Sequence, residues 1–203
     1  METKLYKAHE YKNIIDDLLN GEVVGFPTET VYGLAIVYDD INAFNKIYEI
    51  KNRSVNKPIS MMVADIDSLK KVAYVDEKVK KIIDAFMPGP LTIVLKAKEN
   101  LPKHVTFNLN TIGIRIPNHQ IALNILKNIN KPLLVSSANI SNEPSLIKAS
   151  DVYEKFNQQI ASLINEDAAD GLASTVISLI DGKLSLLREG PISIKQIKEV
   201  IGE

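Results

Sequence analysis

Asp181-Gly182 sits between two alternating runs, Thr175 to Ile180 and Leu184 to Leu187, and this is the strongest hairpin signal in the chain. A two-residue turn of that type forces an antiparallel strand pair. The upstream chain instead alternates short apolar runs with segments of helical spacing, a pattern that allows parallel strand-helix-strand units. Both demands are met in an α/β domain with a mixed, twisted sheet.

The segments fall in a regular order. Ile14, Ile15, Leu18 and Leu19 mark a first helix that stops at Gly21, and Val23 to Phe26 reads as a buried strand ended by Pro27. A second helix carries Ile41, Phe44, Ile47 and Tyr48, and Ile59 to Val63 is a short strand. Asp76 is an N-cap for a helix closed by "MPGP", and strand signal resumes at Leu91 to Leu95. "TIGIRIP" alternates as a strand, 120–126 reads as helix, and Leu133 to Val135 as a buried strand. Ser150 is expected to cap a helix bearing Val152, Tyr153, Phe156 and Ile160, and Ser193 with Gln196 has the spacing of a capping box. No linker or repeat interrupts the series, so residues 1–203 read as one domain.

Composition narrows the chemistry. Lys plus Arg number 24 against 25 Asp plus Glu, so a globally basic nucleic-acid binder is excluded and any anion site must be built locally. There is no cysteine, which removes disulfides, thiol catalysis and thiolate metal sites, and the three histidines are dispersed. No metal ligands are assigned. No run approaches the roughly 18 apolar residues of a membrane span, and the charged N-terminus is unlike a leader, so a cytoplasmic protein is expected.

Three clusters could carry function. Lys51 and Arg53, with Lys46 and Lys57 nearby and Glu49 opposing, give a local charge of about +3 over twelve residues. Such a group suits phosphate oxygens, and equally a solvated helix end. Ser137, Asn139 and Ser141 follow a buried strand at two-residue intervals, so in extended chain they share a face, while a polar turn bonded to its own backbone is the other reading. The run "FPTETVYGL" places Thr28, Thr30 and Tyr32 in alternation, again after a strand. Arg115 on an otherwise apolar strand must pair with a carboxylate or anchor a ligand. No P-loop, dinucleotide fingerprint or nucleophile elbow occurs.

Seven segments, "PTETVYGL", the K-x-R of "KNR", "PGPLT", "GIRIP", "SSANIS", "ASTV" and "LREG", together resemble, in order and over residues 10 to 200, the YrdC-like threonylcarbamoyl-AMP synthase family. The resemblance implies an α/β twisted open sheet with a large concave basic cavity. It also implies an enzyme, a nucleotidyltransferase that makes L-threonylcarbamoyladenylate, pyrophosphate and water from L-threonine, bicarbonate and ATP, with Mg²⁺ accompanying the ATP. A threonylcarbamoyl transferase complex acting on tRNA would receive the product. By motif, Lys51 and Arg53 would hold ATP phosphates, Ser137, Asn139, Ser141 and Arg188 would help seat the nucleotide, and Thr28, Thr30, Tyr32, Arg115 and Ser174 would line the threonine and carbamate end. The alternative is a non-catalytic RNA-binding member of the same fold, and direct tRNA binding is open. One departure is that Asn142 stands where the family commonly has glycine, so Asn must meet any glycine-like backbone there. The length matches the short, single-domain form.

Overall fold

Local signals set most element ends. The computed structural model describes residues 2–54, 57–169 and 171–203. In chain order these form β1 (Lys4–Tyr6), α1 (Tyr11–Leu19), β2 (Val24–Phe26), β3 (Gly33–Val37), α2 (Ile41–Ile50), β4 (Ser60–Met62), α3 (Ile66–Val72), α4 (Glu77–Phe86) and β5 (Leu91–Lys96). There follow α5 (Lys103–Thr106), β6 (Thr111–Arg115), α6 (Gln120–Ile129), β7 (Leu133–Ser137), α7 (Ala149–Phe156), β8 (Ser162–Ile164), β9 (Thr175–Ile180), β10 (Lys183–Arg188) and α8 (Ile194–Ile201). Asp40, Asp65 and Asp76 each accept backbone N–H bonds at the starts of α2, α3 and α4, and Ser193 with Gln196 forms the reciprocal box at α8. The start of α7 differs from expectation. Its N-cap is Lys148, Ser150 lies inside the first turn, and the Ala149 amide donates instead to Asp167 from the loop after β8.

All ten strands join one sheet in the order β1-β8-β2-β3-β7-β4-β6-β5-β9-β10. The pairs β1/β8, β8/β2, β4/β6 and β5/β9 are parallel and the other five antiparallel, the mixed sheet that the hairpin and the helical crossovers together require. At the β9/β10 turn Asp181 and Gly182 both have positive φ, as a two-residue hairpin needs.

Side-chain alternation divides the apolar residues between the two faces. On one face Leu34, Ile36, Met61, Ile93, Ile114, Leu134 and Ile177 pack with α2, α3, α4, α7 and α8. On the other, Val24, Phe26, Ala35, Val37, Leu133 and Val135 pack with α1 and α6. These two helices cover the β8-β2-β3-β7 part of their face. Beyond Met62, the residues of β6, β5 and β9 that point the same way lie outside that cluster, with the short α5 beside β6, and the cavity lies over them.

Candidate active site

The cavity has a volume of about 450 Å³. Its floor is this stretch of sheet: Ser60 and Met62 of β4, Gly113 and Arg115 of β6, Thr92 and Val94 of β5, and Val176 of β9. Gly113 keeps that floor low, since a Cβ there would reach within 3.4 Å of Ser60 Oγ and 3.5 Å of Thr92 Cγ2. The walls come from the hydroxyl loop (Thr28, Thr30, Tyr32), from Arg53, from the turn after α5 (Phe107, Leu109), and from Ser174 and Arg188. Among the described residues three arginines line the cavity and no carboxylate does. Such a wall selects an anion.

The hydroxyl loop forms a directed chain of hydrogen bonds. Thr28 Oγ1 donates to the Val31 carbonyl at 2.7 Å and lies 3.0 Å from Thr30 Oγ1, so Thr30 is the donor of that pair. Arg115 Nη2 donates to Thr30 Oγ1 at 3.0 Å, and Arg115 Nε to the Gly89 carbonyl at 3.2 Å. Thr30 Oγ1 therefore offers a ligand a lone pair, not a proton. Arg115 has the carboxylate that its apolar strand demands: only 5% exposed, it is paired with Glu29 Oε1 at 2.7 Å, and it also borders the cavity. Glu29 also accepts the Asn118 amide on Oε1, and its Oε2 is buried without a donor among the described residues. Glu29 is absent from the sequence-based set of site residues. Its signal was present, as the one acid inside "FPTETVYGL".

On the opposite wall Arg188 donates from Nε and Nη2 to the Ser174 carbonyl, at 3.0 and 2.8 Å, and from Nη2 to Ser174 Oγ at 3.1 Å. Ser174 Oγ lies 2.9 Å from Thr92 Oγ1, a second residue that sequence reasoning did not assign. Burial, and then Arg115, lower the Arg188 pKa from its ordinary value. An anion between the two guanidiniums would relieve both effects. Arg53 is held by the Lys57 and Pro58 carbonyls, through Nε and Nη2, with its guanidinium 6.0 Å from the Tyr48 ring centre. It reaches the cavity from the far side.

Three expected site residues, Lys51, Asn139 and Ser141, do not line the cavity, and Tyr32 lines it with its hydroxyl turned to the backbone. Lys51 is wholly buried and does not line the cavity; its Nζ donates to the Ser137 carbonyl, to the Asn139 carbonyl at 2.6 Å and to Asn139 Oδ1 at 3.2 Å. The spacing K-x-R sends its two cations different ways because α2 ends between them, with Lys51 as its C-cap and Asn52 at positive φ. Asn139 spends its amide nitrogen on the Ile140 and Glu143 carbonyls, and Ser141 Oγ is buried without a partner among the described residues; the cavity receives Ser136 and Ser137 from this segment. Tyr32 donates its hydroxyl to the Ile164 carbonyl, and burial, then Asp167, push its pKa well up, so it contributes ring surface to the wall. Asn142 does adopt the conformation that favours glycine, with φ of 74°, while its Oδ1 accepts from Lys57 Nζ at 2.7 Å.

Comparison with known proteins agrees with this geometry. Residues 16–190 match the Sua5/YciO/YrdC family model, described as telomere recombination. The chain is 39% identical over 188 residues to the threonylcarbamoyl-AMP synthase of Bacillus subtilis, covering 91% of this chain and 54% of that protein. It is 36% identical over 203 residues to a putative threonylcarbamoyl-AMP synthase of Methanocaldococcus jannaschii, covering 96% and 95%. The crystal structure of Pyrococcus abyssi Sua5 complexed with L-threonine superposes with a TM-score of 0.92 at 34% identity, over 99% of this chain and 61% of that one. The chain belongs to the Sua5/YciO/YrdC family and has its fold. It spans little more than half the length of the Bacillus protein.

Proposed function

We propose that the chain is an L-threonylcarbamoyladenylate synthase, a nucleotidyltransferase of tRNA modification. The observation that carries this reading is the cavity itself: about 450 Å³ lined, among the described residues, by three guanidiniums and a ring of hydroxyls with no carboxylate. The name of the Bacillus relative and the threonine complex of the Pyrococcus one supply the reaction and one substrate.

The chemistry needs no nucleophile on the protein. The threonine amine attacks the carbon of bicarbonate and water leaves; an oxygen of the resulting carbamate attacks the α-phosphorus of ATP and pyrophosphate leaves. Catalysis is then positioning and charge stabilisation. Arg53 and Arg188 are assigned to the phosphates, Ser137 to the nucleotide, and Thr28, Thr30, Arg115 and Ser174 to the threonine and carbamate end. Thr30 Oγ1, with its free lone pair, suits a donor such as the threonine amine or hydroxyl. Mg²⁺ would accompany the ATP: with no carboxylate on the wall, and no cluster of three acidic or histidine ligands among the described residues, its ligands would be phosphate oxygens and water. It would neutralise phosphate charge there.

We read residues 1–203 as a single YrdC-like domain working in the cytoplasm, which hands its product to a transferase acting on tRNA. No helix among the described residues is long and apolar enough to cross a membrane. The test is pyrophosphate release from ATP and Mg²⁺, omitting L-threonine and bicarbonate in turn, beside Arg53→Ala. Release that requires both and collapses in the variant is expected; no release from the folded protein, or release indifferent to threonine, overturns the reading.

A further inference from the structure

The geometry points to Lys51 as a positioning residue that builds the 137–141 loop from behind the cavity wall, in place of a ligand to the ATP phosphates. This rests on the adenylating reading of the cavity. The ammonium has three hydrogens and meets three oxygens, those of the Ser137 and Asn139 carbonyls and Asn139 Oδ1. Nothing is left over for a phosphate. The Lys51 carbonyl meanwhile accepts the Ser141 amide at 2.9 Å, so one residue fastens the loop through both its side chain and its backbone.

The fastening reaches the cavity through a short relay. Asn139 Oδ1 accepts from Lys51 and also from Ser137 Oγ at 2.6 Å, and Ser137 is on the cavity wall. Without the ammonium, two inward carbonyls and one amide oxygen would lose a buried donor together, and the loop would have to turn to find others. Arg53, two residues on, does enter the cavity and is the charged neighbour that acts on Lys51. The two cations of the motif thus divide the work: one touches the ligand, the other shapes the wall that touches it.

The first experiment observes the lysine Nζ resonances of the ¹⁵N-labelled full chain at pH 6, with and without ATP and Mg²⁺. One ammonium signal in slow exchange with water, absent from Lys51→Met and unmoved by ATP, is expected. Absence of such a signal in folded protein, or its displacement by pyrophosphate alone, overturns the proposal, and this readout needs no folded variant. The second measures binding to Lys51→Met by calorimetry. Affinity for pyrophosphate should stay within about twofold of wild type while affinity for AMP falls about tenfold or more, with Arg53→Ala showing the opposite bias. A Lys51→Met variant that loses pyrophosphate affinity as Arg53→Ala does also overturns it. Failure of the synthase reading would be seen separately, as wild-type protein that shows the lysine signal but releases no pyrophosphate from ATP.

Discussion

Glu29→Ala removes the carboxylate paired with Arg115, and its cost can be worked from the site. The Arg115 side chain is almost wholly enclosed and lies 2.7 Å from Glu29 Oε1, which also accepts the Asn118 amide at 2.9 Å. Breaking one partner out of a buried pair costs about 3–5 kcal/mol, because the other charge is left uncompensated. Arg115 keeps the Thr30 hydroxyl and the Gly89 carbonyl, and water can reach it from the cavity, so a loss of about 3 kcal/mol is expected. For a chain of this size that lowers Tm by roughly 6–12 °C. The same change frees a guanidinium on an anion-selecting wall, so pyrophosphate should bind the variant more tightly than wild type and recover part of the lost stability. Urea denaturation with and without pyrophosphate measures both quantities. Glu29→Gln, which can still accept hydrogen bonds, should fall between. A loss under about 1 kcal/mol, with unchanged pyrophosphate affinity, would refute the claim that Glu29 neutralises a buried Arg115.

Two further outcomes follow from individual residues. Burial, with Arg53 second, lowers the Lys51 pKa to about 7 from its unfolded 10.5, so the unfolded chain binds more protons between those values. The penalty is complete below pH 7 and gone above pH 10.5. Wild-type stability measured against Lys51→Met should therefore rise with pH across that window, by on the order of 3–5 kcal/mol, and a flat difference would count against it. Asn142→Ala should cost about 1–2 kcal/mol in denaturant titrations because φ is 74° there, whereas Asn142→Gly should stay within about 0.5 kcal/mol of wild type.

Where periodicity and caps were strong, the sequence was readable. The Asp181-Gly182 hairpin, the Asp76 cap and the Ser193 box stand as their residue types demand. What it hid were elements without internal rhythm. β1 is three residues long and mostly exposed, and exists because β8, more than 150 residues away, offers it a parallel edge. β3 is buried on both faces, so its apolar run shows no alternation, and it begins at the residue after the hydroxyl loop. The site was legible as a set of segments and much less as a set of directions. That Arg115 needs a carboxylate follows from its position on an apolar strand; that Glu29 supplies it depends on the loop fold. Lys51 reads as a surface cation because its neighbours in sequence are charged, and it is buried because carbonyls 86 and 88 residues distant close over it.

The floor of the cavity and the core beneath it are drawn from the same strands, three of which show this residue by residue. In β5, Thr92 and Val94 face the ligand space while Leu91, Ile93 and Leu95 face the helices; in β6, Gly113 and Arg115 alternate in the same way with Ile114, and in β9 Val176 with Thr175 and Ile177. Exchange at Thr92, Val94 or Val176 can therefore reshape the floor without touching the core packing beneath it, whereas Arg115 is tied to Glu29 and Gly113 to its close neighbours. Insertion or deletion of a single residue in any of these strands has no such freedom. It would bring leucine and isoleucine up into the binding space and send arginine or threonine down among the helices, so recognition and folding would fail in one step.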